Sequence, residues 1–96
     1  KAYEMLKLPI QQGVNHSDIF YLYGDVCRIL KRPEEAEKFL LECLRFEYHS
    51  PFVFYSLGVL YLELEQFPYS ISLFKHFLKI MVYVLNARKQ LMLILI

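Results

Sequence analysis

The 96 residues are 56% hydrophobic and 17% aromatic, too apolar for intrinsic disorder and sufficient for one small core. Eleven basic residues against ten acidic ones leave a formal charge of +1, a field too weak to draw in a polyanion, so nucleic acid is not the expected partner. Cys27 and Cys43 lie among apolar residues rather than in a dense disulfide framework, and a reducing, cytoplasmic setting is expected.

In chain order, the first segment places Ala2, Met5, Leu6 and Ile10 on one helical stripe, with Pro9 predicting an early end to that helix. Ser17 and Asp18 are candidate caps for a second helix reaching about Leu30. Pro33-Glu34-Glu35 then opens another, because proline is tolerated in a first turn and the acidic pair suits the positive end of the helix dipole. Its apolar stripe is Ala36, Phe39, Leu40, Cys43 and Leu44, with Glu34, Glu37, Lys38, Glu42 and Arg45 opposite. The charged side predicts a solvated face, on which Glu34 and Lys38 have the spacing of a weak pair.

Ser50-Pro51 repeats the logic of a capping hydroxyl before a first-turn proline. The helix it opens, to about Glu65, is apolar nearly all round, which predicts a position between neighbours. Pro68 starts the next one, with Ser70, Leu73, Phe74, Phe77 and Leu78 as its stripe and continuous helix possible through Tyr83. Residues 85–96 are expected to form a separate partial repeat or a capping helix. No cleavable signal pattern opens the chain. Residues 77–96 are broken by Lys79, Asn86, Arg88, Lys89 and Gln90, which predicts no membrane span.

Gly58, inside the large apolar run FYSLGVLYL, and Gly24 lie 34 residues apart. The same offset superposes Phe20 on Phe54, Tyr21 on Tyr55, Leu30 on Leu64 and Leu44 on Leu78. Chemical type follows: Ile19 meets Val53, Val26 meets Leu60, Ala36 meets Ser70, and the pair Phe39-Leu40 meets Leu73-Phe74. A fixed period of this length predicts an all-α solenoid of helical hairpins, with units at 17–50 and 51–84, the end of a preceding repeat at 1–10, and the partial unit at 85–96. Glycine in a helix interior costs about 1 kcal/mol relative to alanine, so each predicts close helix packing.

The 34-residue helix-turn-helix, the aromatics Phe20 and Phe54, LGVLY at Leu57–Tyr61, and the small-then-large pairs Ala36/Leu40 and Ser70/Phe74 resemble tetratricopeptide repeats. The family's usual closing proline is replaced by Tyr48 and Val82. The resemblance implies a superhelix in which glycine and the small residue let paired helices approach, Gly24 facing Ala36 and Gly58 facing Ser70. It also implies a concave groove lined by first helices. The matching positions are Asp18, Tyr21, Asp25 and Arg28 on one, and Phe52, Tyr55, Val59 and Leu62 on the next.

The expected work is therefore protein–protein interaction. A scaffold within a larger assembly would hold a peptide or protein segment through Tyr21, Phe52, Tyr55, Val59 and Leu62, with Asp25 and Arg28 fixing its orientation. Repeats of the co-chaperone type, which grip acidic C-terminal tails, carry lysine and asparagine where this chain has Tyr21, Asp25 and Ser56; Lys89 alone does not rebuild that clamp. The alternatives are a secretion-type chaperone for an apolar client, an array whose groove is filled by its own chain, and an RNA-binding relative of the helical-hairpin class. The near-neutral charge disfavours the last.

His16, His49 and His76 lack any triad context, and neither a phosphate loop nor a dinucleotide fingerprint occurs. Cys27 and Cys43 lack the short spacings of a zinc module. No enzyme activity, cofactor, metal or small-molecule substrate is expected.

Overall fold

The computed structural model describes residues 2–11, 13 and 16–95, except for the side chains of Ala2, Tyr3 and Leu6. Within them the regular structure is helical: α1 (Ala2–Gln11), α2 (Ser17–Ile29), α3 (Pro33–Cys43), α4 (Phe52–Glu63) and α5 (Phe67–Leu95). Each helix packs on the next in sequence, and among the described residues the other pair that meets is α2 with α4. The core runs through the middle three: Tyr23 and Cys27 on α2, Ala36, Leu40 and Cys43 on α3, and Val53, Leu57 and Leu60 on α4. The all-round apolarity of α4 follows from its three neighbours, α2, α3 and α5.

The two hairpins repeat in backbone detail. At the end of α2, Arg32 N–H donates to the Cys27 carbonyl at 2.9 Å, and 34 residues later Gln66 N–H donates to that of Tyr61 at 2.8 Å. Between each pair stands a left-handed residue, Lys31 at φ 63° and Glu65 at φ 58°. This is the six-to-one closure that usually employs glycine. Lys31 places its ammonium 3.5 Å from Glu63, whereas Glu65 joins no ion pair among the described residues. Glu65→Gly is therefore expected to stabilise the chain by about 0.5–1 kcal/mol, read as a raised denaturation midpoint with unchanged slope.

A Cβ added at either glycine would first meet the residue one turn beyond the expected small partner. A Cβ on Gly24 would lie 2.7 Å from Leu40 Cγ, and one on Gly58 would lie 2.7 Å from Phe74 Cε1. The glycines thus admit the large member of each pair. Ser70 faces Gly58 as expected, its buried hydroxyl donating to the Gly58 carbonyl at 2.8 Å.

One hydrogen bond also ties hairpin to hairpin, from the Tyr61 hydroxyl to Glu37 Oε2 at 2.6 Å. Burial, then the Glu37 hydrogen bond and charge, push the Tyr61 phenol up to about 12 from 10. The folded chain holds this proton more tightly than the unfolded chain does. The contribution is complete below pH 10 and is lost as pH rises from 10 toward 12. Tyr61→Phe should flatten that fall in urea melts taken across the window.

Four local expectations are corrected. His16, rather than Ser17 or Asp18, caps α2, its Nδ1 accepting from the Asp18 amide at 3.1 Å. Glu34 and Lys38 form no pair; the i,i+3 partners are Arg45 with Glu42 and Arg32 with Glu35. Helix α1 runs through Pro9 to Gln11, which costs it one late-turn hydrogen bond rather than ending it. Its Met5 points to solvent, 74% exposed, while Ile10 packs on the core.

The largest departure is at the other end. Residues expected to begin a partial repeat or cap continue α5 without a turn through Leu95, since no glycine or proline follows Pro68 to break the helix. Lys1 and Ile96, the outer limits of the two flanking segments, lie outside the described residues, as do the side chains of Ala2 and Leu6.

Candidate functional site: the α2–α4 face

The seven candidate residues form a polar set and an apolar set. In the polar set Arg28, with its side chain 18% exposed, donates from Nε to Asp25 Oδ1 at 3.1 Å and reaches Glu63 Oε1 from Nη1 at 3.7 Å. Lys31 Nζ stands 3.5 Å from the other Glu63 oxygen. Arg28 thus joins α2 to α4 and is engaged within the fold, rather than held out to orient a ligand. Glu63 and Lys31 were not among the candidate residues. The Asp25–Arg28 spacing was a signal for the first contact, but nothing local indicates that α4 supplies the second carboxylate. Beside this cluster lies a cavity of about 260 Å³, lined by Arg28, Lys31, Pro33, Leu60, Glu63 and Leu64.

In the apolar set, which runs the length of α4, Phe52, Tyr55 and Leu62 are each 48% exposed, and Val59 is half-buried. The rings are anchored from behind by α5. Phe52 lies 5.4 Å from Phe77, and Tyr55 lies 5.7 Å from Phe74 and 5.6 Å from Phe77, centroid to centroid. Tyr55 therefore helps hold α4 to α5 as well as presenting an outer face, so its removal costs stability too. Tyr21, half-buried, packs against the core from α2. Asp18, in the first turn of α2, is exposed beside His16.

Both cysteines are buried and free. The Cys43 thiol is buried, donates to the Ser17 carbonyl at 3.3 Å, and is pushed by burial up to about 11, with the Asp18 charge adding to the shift. Burial likewise raises Cys27. Both shifts oppose formation of the thiolate. His49 and His76 flank the Phe54 ring, with centroids 5.8 and 4.4 Å away. Among the described residues no group of three or more His, Cys, Asp or Glu is placed to hold a metal ion, and no helix is long and apolar enough to cross a membrane.

Comparison of the chain with protein-family models, with curated proteins and with solved structures returned no match. Among the described residues the fold is five packed helices with a repeated hairpin turn.

Proposed function

We propose that the chain is a protein-interaction scaffold of the tetratricopeptide type, holding a peptide or protein segment against the face shared by α2 and α4. The observation that carries this is the half-exposed row Phe52, Tyr55 and Leu62, two of whose rings are fixed in place by Phe74 and Phe77. Aromatic area already immobilised loses little rotamer freedom on binding, which is what an interface anchor needs. The placement of the helices supports the same reading. α2 meets α4 whereas α3 and α5 stay apart among the described residues, as in a curved stack whose first helices lie on the inside. Tyr21 and Val59 extend the apolar contact, while Asp25 and Arg28 act through Glu63 to fix the relation of the two helices.

Leu62→Lys tests the proposal, because Leu62 is half-exposed and lies outside the core cluster. Stability is expected to change by no more than about 0.5 kcal/mol. A protein captured from cell extract by the wild-type chain should be retained about tenfold less. Undiminished capture by the folded variant would remove the site from this face, and captured material that disappears on ribonuclease treatment would favour the RNA-binding alternative.

A further inference from the structure

Helix α5 outruns the hairpin it belongs to. Ile80 and Met81 are its last half-buried residues, and every described residue from Val82 to Leu95 is exposed, about 20 Å of helix at 1.5 Å per residue. The stripe that packs on α4 continues along this projecting half. Phe74, Phe77, Met81, Val84, Arg88, Leu91 and Leu95 follow one another at alternating intervals of three and four, the spacing of a helix-pairing seam.

Arg88 is the one charged residue in that run. Its neighbours at three and four positions on either side are Val84, Leu85, Leu91 and Met92, so no carboxylate on its own helix can pair with it. The asymmetry extends over the whole chain: residues 1–65 carry seven basic and ten acidic side chains, and residues 66–96 carry four basic and none acidic.

We propose that residues 82–95 dock an amphipathic helix of a different chain, one whose apolar stripe is interrupted by a carboxylate placed to meet Arg88. Covering the seam with a purely apolar helix would bury an unpaired guanidinium, which is strongly unfavourable. A second copy of α5 offers no carboxylate to meet Arg88, and pairing in parallel along the same seam would bring two guanidiniums together. A lipid surface would have to accept Arg88 in the middle of the immersed face, whereas interfacial helices keep their charges on the opposite side. An acidic, apolar helix satisfies the stripe and the charge together, and the Arg88–carboxylate contact would fix its register, as a single polar residue does in paired helices. This surface is distinct from the α2–α4 face.

The test uses synthetic three-heptad peptides with leucine at every a and d position except the central a, which carries glutamate, glutamine or lysine in turn. Titration calorimetry against the whole chain should show the glutamate peptide binding about tenfold more tightly than the glutamine peptide, and the lysine peptide most weakly. Arg88→Glu should reverse the order in favour of lysine while leaving the thermal melt unchanged. Leu91→Asp should weaken all three. Equal affinity for the three peptides, or binding of none, would overturn the proposal. So would a dimer in analytical ultracentrifugation that persists in Arg88→Glu and excludes the peptides, or cosedimentation with phosphatidylserine vesicles in place of peptide binding.

Discussion

Gly24→Ala should lower stability by about 1–3 kcal/mol, even though alanine is favoured over glycine inside a helix by about 1 kcal/mol. The new Cβ would stand 2.7 Å from Leu40 Cγ and 3.1 Å from the Leu40 amide nitrogen. Leu40 is wholly buried, so neither its branch point nor its backbone has room to retreat. Gly58→Ala makes a contact equally short on paper, but with the far edge of the Phe74 ring. That ring is only half-buried and can swing away, at the expense of its contact with Tyr55. The second substitution should cost clearly less and fall closer to neutral, whereas Gly58→Leu overpacks the site and should cost about 1–3 kcal/mol. Thermal melts of the three variants decide. Two alanine variants more stable than the parent would mean that the glycines are mere helix defects.

Leu40→Ala should be among the most damaging single changes, costing about 2–5 kcal/mol by emptying a filled site between α2 and α3. The more discriminating result is its combination with Gly24→Ala. The added methyl at 24 enters the volume that Leu40 vacates, so the double variant should be less destabilised than the sum of the singles, by about 0.5–3 kcal/mol. Additivity within about 0.5 kcal/mol would show that the two sites do not share one contact.

Much of this architecture was legible because it is punctuated locally. Pro33 starts α3 where the sequence places it, and the Ser50 hydroxyl accepts from the Phe52 amide at 3.2 Å, at the entry to α4. The offset of 34 residues, visible in side-chain type, returns in the φ values of Lys31 and Glu65 and in their flanking hydrogen bonds. That Gly24 and Gly58 mark close contacts was also readable, and Ser70 does meet Gly58, through its hydroxyl. Reach across a helix pair depends on crossing angle and rotamer, so the atoms nearest an added Cβ, those of Leu40 and Phe74, were not readable. The course of α5 was unreadable for the opposite reason: helix propensity after Tyr83 is uninterrupted, and the expected turn came from extrapolating the repeat rather than from any turn residue. At the candidate site, spacing put Phe52, Tyr55, Val59 and Leu62 on one face of α4, and three of them are half-exposed. The pairing of Arg28 with Glu63 did not, since it joins two helices whose relative placement only packing fixes.

The central claim, that the α4 face receives a protein segment, is tested most directly by a photo-crosslinking amino acid placed in turn at Phe52, Leu62 and Glu34 in the full chain. Phe52 and Leu62 stand on the candidate face, and Glu34 is exposed on α3. The account predicts one protein partner crosslinked from both 52 and 62 and not from 34. Crosslinks from 34 alone, or to RNA from any of the three, would contradict it.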